Sequence, residues 1–418
     1  MVVAYRSRVA DRELAVRLRS AGAVVIEGPK ACGKTATARQ VAASEVLLDV
    51  DRQARAALAV DPSLVLPGAT PRLIDEWQVA PEIWNHVRRA VDDRSAPGQF
   101  ILTGSAVPAD DVTRHTGAGR ISRLRMRPMS LLEVGSSTGD LSLSALLDGQ
   151  SVSCPDPGLT VHDIARLVAV GGWPGNLDYP TDRALDRVRD YLDEIRRVDI
   201  GRVGPARHDP VRVARLLRAL ARNIATYASA STLAVDAGGA DGALDNDTAR
   251  QYLTALERLM IVEDLPAWSP HLRSRSTLRS RAKRHLVDPS LAVASVGGNP
   301  DRLLADVEFL GFLFESLVVR DLRIYAQANG AQVLQYRDNT GLEVDAVVEA
   351  TDGRWAAFEV KLGQRMIDEA AANLLRFRDR VDTGKLGEPA ALVVVVGFGY
   401  GYRRDDGVTV LPIGALGP

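Results

Sequence analysis

The chain has 418 residues, 46% of them hydrophobic, which is enough for two or three domains with cores of their own. Charged residues make up 25% and the formal net charge is -1, which excludes nucleic-acid binding through overall positive charge. The two cysteines, Cys32 and Cys154, cannot form a disulfide framework, and neither they nor the six histidines have the spacing of a zinc site.

The N-terminal residues carry charges where a secretory signal would need an apolar block. The sequence also lacks the run of about 18 apolar residues that a membrane span requires. Together with the cysteine usage, these features predict a cytoplasmic protein without a membrane partner.

The first part of the chain alternates helical and apolar patterns. After an amphipathic stretch at 11–20, strands are predicted at 23–27, 46–50, 72–76 and 99–104, with helical patterns between them. Short apolar strands separated by helices predict a parallel sheet covered on both faces.

The stretch "GPKACGKT" at 28–35 follows the first of these strands and matches the pattern GxxxxGK[ST]. Glycines in such a loop let backbone amides face phosphates, and Lys34 would neutralise the β- and γ-phosphates of ATP. The Thr35 hydroxyl would ligate magnesium. The alternative is a glycine-containing turn before an ordinary helix. The predicted phosphate-binding residues are Gly28, Pro29, Lys30, Ala31, Cys32, Gly33, Lys34 and Thr35.

Three further positions complete the predicted ATPase site. The acidic pair at the end of "LIDE" supplies Asp75 for magnesium and Glu76 to orient or activate water. Thr103, in "ILTGS", lies at the tip of the next strand, where it would sense the γ-phosphate unless it is only a strand end. Arg120, in "HTGAGR", would stabilise developing charge within the chain or in a neighbouring subunit, or else is a solvated surface arginine.

The middle of the chain is predicted to be helical. The Gly/Ser/Asp-rich stretch at 135–160 indicates a boundary or an exposed insertion, and helical patterns follow at 161–200 and 211–264. In the segment from 246, the apolar positions on one helix face are Ala249, Leu253, Leu256 and Met260. The polar positions that a recognition helix would use are Arg250, Gln251, Thr254 and Arg258.

A basic stretch follows this helix, with no acidic residue among its cations. These are Arg273, Arg275, Arg279, Arg281, Lys283 and Arg284. A basic hairpin after a helix–turn–helix resembles the wing of a winged-helix domain that contacts DNA phosphates. The alternatives are a solvated loop or a hairpin that packs against other domains of the same protein.

The C-terminal part combines carboxylates and a lysine. Asp345 lies on one predicted strand, and Glu359 and Lys361 share one face of the next. The two carboxylates, with Glu315 from the preceding helix, would bind magnesium, and Lys361 would act on water or phosphate, as phosphodiester hydrolysis requires. This resembles the PD-(D/E)xK nuclease core, although Val344 stands where that pattern often has proline. The alternative is a structural salt-bridge cluster.

Ordered motifs along nearly the whole chain carry a family resemblance. They include "GAVVIEGPKACGKT", "PRLIDEWQVAPEIW", "GGWPGN", "HLVDPSL" and "EVDAVVEA…FEVKLG". Together they resemble prokaryotic AAA-type ATPases with a C-terminal domain of unknown function 4143. The chain departs from the family pattern at two places. Pro29 and Cys32 occupy loop positions, where the proline removes one amide donor, and only two apolar residues, Leu73 and Ile74, form the strand that leads into Asp75.

The resemblance implies an α/β multidomain protein with Gly28, Lys34, Thr35, Asp75 and Glu76 in the Walker roles. The expected parts are an ATPase domain at 1–150, a helical lid and winged-helix region at 151–298, and a nuclease-like domain at 299–418. Two functions follow. One is a DNA-acting ATPase, with or without nuclease activity. The other is a nucleotide-dependent switch, binding DNA or protein, with a catalytically silent end domain. An oligomer is compatible with both.

Overall fold

The computed structural model describes residues 5–105, 116–151, 153–204, 208–239, 242–269 and 281–418. Its N-terminal part is a parallel five-stranded sheet in the order β2-β3-β4-β1-β5. The strands are β1 (Ala23–Glu27), β2 (Ser44–Leu47), β3 (Arg72–Asp75), β4 (Phe100–Gly104) and β5 (Ile121–Arg125). The helices are α1 (Ala10–Ser20), α2 (Lys34–Arg39), α3 (Arg52–Val60) and α4 (Ile83–Arg94).

Both faces of this sheet are buried, as continuous apolar strands predict. Alternate residues of one strand enter different cores: Val25 packs with Trp84 on one face, whereas Val24 and Ile26 pack with Leu14 on the other. The prediction of a parallel, doubly covered sheet is confirmed. The second strand is Ser44–Leu47 instead of 46–50, because the chain turns after Leu47 into α3.

The stretch at 135–160 is only partly exposed. After α5 (Leu131–Val134), it contains β6 (Leu141–Ser142) and α6 (Leu143–Leu147), whose leucines are buried. Strand β6 pairs in parallel with β13 (Leu416–Gly417) near the other end of the chain. The prediction of an exposed insertion is therefore wrong for 141–147, where the leucine spacing outweighs the flanking glycines and serines.

The middle of the chain is helical, as predicted. Its helices are α7 (Val161–Val170), α8 (Thr181–Glu194), α9 (Ile200–Val203), α10 (Pro210–Arg222), α11 (Ala230–Asp236), α12 (Asn246–Arg258) and α13 (Pro289–Ser295). A π-helical turn at Ile195–Asp199 joins α8 to α9. Between α12 and α13, antiparallel bridges Val262↔Leu286 and Leu265↔Lys283 form the base of a hairpin.

The C-terminal part is a mixed six-stranded sheet in the order β11-β12-β10-β9-β8-β7. Its strands are β7 (Ala331–Arg337), β8 (Glu343–Ala350), β9 (Trp355–Lys361), β10 (Ala391–Val396), β11 (Tyr402–Arg403) and β12 (Thr409–Pro412). Its helices are α14 (Pro300–Ala305), α15 (Val307–Ala328), α16 (Ile367–Arg380) and α17 (Thr383–Leu386). Asp306 separates α14 from α15, and its side chain accepts from Phe309 N and caps α15.

A buried ion network joins these parts. Arg320 on α15 donates to Asp288 at 2.8 Å and to Asp321 at 2.7 Å. Asp288 also accepts from Gly172 N after α7, and Asp321 accepts from Leu131 N of α5. Because each buried carboxylate also binds a backbone amide, the network fixes the ends of two elements against α15.

Candidate functional site

The loop at 28–35 leaves the carboxyl end of β1 and enters α2. Ala31 and Gly33 have positive φ, 61° and 104°, which turn the loop back on itself. At Gly28 a Cβ atom would lie 2.3 Å from the Met126 carbonyl oxygen, so the tight approach to the chain after β5 requires glycine. The glycines of the pattern therefore have a steric reason within the fold.

Lys34 is nearly buried, and its ammonium lies inside the curve of the loop. Nζ donates to the carbonyl oxygens of Gly28 at 3.0 Å and Pro29 at 2.9 Å. Pro29 thus supplies an acceptor although it lacks an amide donor. This arrangement holds a positive charge at the centre of the loop, where a phosphate group would need one.

Thr35, in the first turn of α2, meets Asp75 at the end of β3. The Thr35 hydroxyl donates to Asp75 Oδ1 at 2.8 Å. A hydroxyl and a carboxylate side by side are the hard oxygen donors that magnesium prefers, so the residues present fit that ion. Thr103 also donates to Asp75, and it is fully buried because β4 lies between β1 and β3. The structure therefore places Thr103 directly against Asp75, and a role toward the γ-phosphate stays a prediction.

Glu76 lies at the edge of the same cleft. Its positive φ of 54° ends β3 and turns the side chain away from the strand. Gln78 Nε2 and the Ser105 hydroxyl both donate to its Oε2, the latter at 3.4 Å. Neither partner was predicted from the sequence. Ser105 could have been found, because the period of two places it on the same side as Thr103.

The cleft beside this loop has a volume of about 930 Å³ and is bounded by two parts of the chain. Lys34, Thr35 and Glu76 line it from the sheet domain, and Arg202 and Leu259 line it from the middle helices. The predicted nucleotide site is therefore an interface between the parallel sheet and the helical region.

The loop is also tied directly to those helices. Lys30 Nζ donates to Asp199 in the π-helical turn at 2.5 Å, and the Tyr191 hydroxyl of α8 donates to the Lys30 carbonyl at 3.3 Å. Asp199 is buried and has Arg202 as a second cation at 3.6 Å. Sequence reasoning missed Asp199 and Arg202, since no motif surrounds them.

On its other side, the loop is supported by Arg8. Its guanidinium donates to the carbonyl oxygens of Cys32 at 2.7 Å and Arg127 at 2.8 Å, and it pairs with Glu133 at 3.0 Å. Cys32 is fully buried and contributes packing to the core below the loop. Arg8 was also not predicted, because it lies upstream of any recognisable motif.

The structure does not bring Arg120 to this site. Its carbonyl accepts from Ala23 N, at the amino end of β1, and its side chain binds Asp92 at 2.8 Å. Since β1 rises about 3.3 Å per residue, Arg120 lies roughly 16 Å from Gly28 along the strand. A role on the nucleotide bound by the same chain is incompatible with this position. A role toward a neighbouring subunit stays a prediction.

The helix expected to recognise DNA has the predicted buried face. Ala249, Leu253, Leu256 and Met260 are buried, although Met260 lies beyond the end of α12. Arg250, Gln251 and Thr254 are exposed, whereas Arg258 is partly buried and donates to the Val203 carbonyl. Asp247 pairs with Arg250 at 3.5 Å and Glu257 is exposed, so this face has mixed charge.

The basic stretch differs more from prediction. Lys283 is 2% exposed and binds carboxylates of the end domain, and Arg284 binds Asp264 and the Ala228 carbonyl. Both cations are used inside the protein, so the prediction that they contact DNA phosphates is wrong for this structure. Arg281 is exposed. Arg273, Arg275 and Arg279 lie outside the described residues.

The predicted nuclease residues do come together. Asp345 on β8 accepts from Val360 N at 2.9 Å, and Lys361 Nζ lies 3.6 Å from Asp345 and 2.7 Å from Glu359. Glu359 also accepts from Asn373 Nδ2 at 2.8 Å. Burial and the adjacent Asp345 raise the pKa of Glu359 to about 7.

A second lysine occupies the centre of this cluster, which the sequence did not predict. Lys283 Nζ lies 2.6 Å from Glu315, 3.0 Å from Glu343 and 3.0 Å from Asp345. Burial would lower the pKa of Lys283, but these carboxylates raise it well above its usual value. Burial would raise the pKa of Asp345, but the ammonium groups of Lys283 and Lys361 lower it to about 2.

In the described parts of the chain, no group of three or more His, Cys, Asp and Glu side chains is arranged to hold a metal ion. The described helices include none with both the length and the apolar character that crossing a bilayer demands.

Comparisons with known proteins give three family matches. An AAA domain model matches residues 20–135, a domain of unknown function 8612 matches 161–302, and a domain of unknown function 4143 matches 310–416. Uncharacterized proteins of Mycobacterium bovis and Mycobacterium tuberculosis are each 27% identical over 359 residues, covering 84% of this chain and 73% of theirs. A solved Walker-type ATPase of Pyrococcus abyssi is 14% identical, with a TM-score of 0.45, covering 70% of this chain and 99% of its own.

Proposed function

The chain carries an AAA-type ATPase domain at its N-terminus and a domain of unknown function 4143 at its C-terminus, and on that basis we propose that it binds and hydrolyses ATP. The observation that carries the proposal is the contact of Thr35 with Asp75 beside the loop that encloses Lys34, within a cleft large enough for a nucleotide.

Each residue has a distinct task in this proposal. Lys34 neutralises phosphate charge, and Thr35 with Asp75 would hold magnesium, which would supply further neutralisation of the phosphate charge. Glu76, held by Gln78 and Ser105, orients the attacking water and accepts its proton. Thr103 positions Asp75 through its buried hydrogen bond.

Nucleotide occupancy is further proposed to act on the middle helices. Lys30 belongs to the phosphate loop but binds Asp199 of the lid, and Arg202 faces the same cleft. A phosphate group in the loop would compete with Asp199 for Lys30 and Arg202, because the phosphate and the carboxylate are both negatively charged and attract the same cations. The function supported best is thus an ATPase whose nucleotide state changes the contact between sheet and lid.

Replacing Lys34 with alanine tests nucleotide binding. We expect the variant to lose affinity for ATP by about tenfold or more, because a buried charge opposite the phosphates disappears. Affinity is measured by calorimetric titration with magnesium and ATP. Lys385→Ala is the control, since Lys385 is exposed and pairs only locally with Asp382. Equal affinity in Lys34→Ala and the wild type would contradict the assignment of the loop.

DNA binding is the second candidate function. The observation that favours it is the succession of α10, α11 and α12 with a bridged hairpin, in which Arg250 and Arg281 are exposed. If both arginines contact phosphates, Arg250→Ala/Arg281→Ala should reduce the slope of log affinity against log salt by about 1.8 units. Fluorescence anisotropy on duplex DNA measures this slope. An unchanged slope would assign both arginines to other roles.

DNA cleavage by the end domain is not part of this proposal. A metal-dependent nuclease needs carboxylate oxygens free to bind the ion, and the resemblance implies such a site at Asp345 and Glu359. In this structure those carboxylates bind Lys283, Lys361, Asn373 and a backbone amide, so they do not fit a divalent ion as arranged. The geometry thus favours a switch with a catalytically silent end domain.

A further inference from the structure

The carboxylate cluster of the end domain already contains a cation. The Lys283 ammonium lies 2.6–3.0 Å from oxygens of Glu315, Glu343 and Asp345, which come from α15 and β8. Nζ donates a hydrogen bond to Asp345 and forms ion pairs with Glu315 and Glu343. Lys283 itself is 2% exposed, so its charge is compensated by these groups and not by solvent.

The backbone holds Lys283 in this position. Its amide donates to the Leu265 carbonyl at 2.9 Å, and Leu265 N donates back at 2.8 Å. On either side, Arg284 N donates to the Thr226 carbonyl and Gln335 Nε2 donates to the Arg281 carbonyl. The lysine is therefore fixed by the hairpin base and the neighbouring elements as well as by its ion pairs.

A divalent ion and this ammonium cannot share the cluster. Magnesium requires oxygen ligands at about 2.0–2.1 Å, and it would have to lie among the same oxygens that surround Nζ. Two positive charges only a few ångströms apart in a buried site repel strongly. The remaining oxygens of Asp345 and Glu359 are bound by Val360 N, Lys361 and Asn373.

We infer that the Lys283 ammonium is the resident cation of this cluster, so that the chain takes no divalent ion there and the cluster instead fastens the hairpin to the end domain. The nuclease-like residues form an ion-pair latch, a cluster of ion pairs that joins the hairpin to the end domain. Glu315 and Glu343 belong to the latch together with Asp345.

Titration of Mn²⁺ into the nucleotide-free full-length chain, followed by electron paramagnetic resonance, tests the inference. The wild type and Asp345→Asn should bind equal amounts of Mn²⁺, because Asp345 is not a ligand while Lys283 is present. Any binding at Thr35 and Asp75 is common to both proteins and cancels in the comparison. Loss of a stoichiometric Mn²⁺ on Asp345→Asn would overturn the inference.

Removing the ammonium provides the complementary test. Lys283→Met should gain one Mn²⁺ site. Its affinity should exceed that of any Asp345-dependent binding detected in the wild type by about tenfold or more. Lys283→Met/Asp345→Asn should lose that site again. Lys361→Met is the matched control: it removes a lysine from the same cluster but leaves Lys283 in place, so no site should appear. A folded Lys283→Met without a new site would overturn the inference.

Stability supplies a second readout for the same variant. Lys283→Met leaves three carboxylates close together, so its thermal unfolding midpoint should fall, and Mn²⁺ should raise it again in proportion to binding. If the variant does not fold, the comparison of the wild type with Asp345→Asn decides the question. ATP binding, measured in every folded variant, distinguishes failure of this inference from failure of the proposed ATPase.

Discussion

Replacing Glu76 with glutamine should leave ATP binding intact and slow hydrolysis by about 100-fold or more, since amide and carboxylate have the same shape but only the carboxylate accepts a proton. Glu76 lies at the cleft edge and is oriented by Gln78 and Ser105. Phosphate release under saturating ATP measures the rate, and calorimetric titration measures the affinity.

Glu82 provides the control for this experiment. It is an exposed glutamate at the start of α4 whose side chain makes no capping hydrogen bond. Glu82→Gln therefore removes the same charge close by in sequence without altering the cleft, and hydrolysis should proceed at the wild-type rate. If Glu76→Gln also hydrolyses ATP at that rate, another group activates the water. The role assigned to Glu76 would then be wrong.

The N-terminal sheet and the loop beside it could be predicted closely because their sequence information is local. The loop at 28–35 and the acidic pair at 75–76 are contiguous motifs, and apolar runs fix the parallel strands that carry them. What could not be predicted is which side chains from elsewhere complete the cleft. Asp199 and Arg202 reach it from a π-helical turn, and such tertiary placement leaves no periodic signal in the sequence.

The basic stretch shows the opposite error. Its charge pattern indicated a wing that contacts DNA phosphates, but charge alone does not say which face of a hairpin is buried. The bridge between Leu265 and Lys283 turns that lysine toward β8, where carboxylates compensate it. Lys283, which was predicted to contact DNA, thus belongs to an internal network with Glu315, Glu343 and Asp345. A buried ammonium is tolerated only beside opposite charge.

The second large expected effect is a loss of stability on replacing Arg320. This residue lies where the N-terminal part, the middle helices and the C-terminal part meet. Its guanidinium is 2% exposed and pairs with Asp288 and Asp321, whose side chains are fully buried. Arg320→Met conserves much of the volume but leaves two carboxylates without their cation. Such loss of one buried partner costs about 3–5 kcal/mol. We therefore expect Arg320→Met to unfold at a markedly lower urea concentration than the wild type. Circular dichroism measures the unfolding transition.

Arg354→Met is the matched control, because Arg354 also bridges two aspartates, Asp352 at 2.7 Å and Asp148, but its side chain is 47% exposed. Water replaces the lost cation there, so its unfolding midpoint should match the wild type. The backbone amides of Gly172 and Leu131 still bind the two aspartates in Arg320→Met, but neutral donors cannot balance two buried charges. If Arg320→Met unfolds at the same urea concentration as Arg354→Met, the junction is held by apolar packing and the ion network adds no stability.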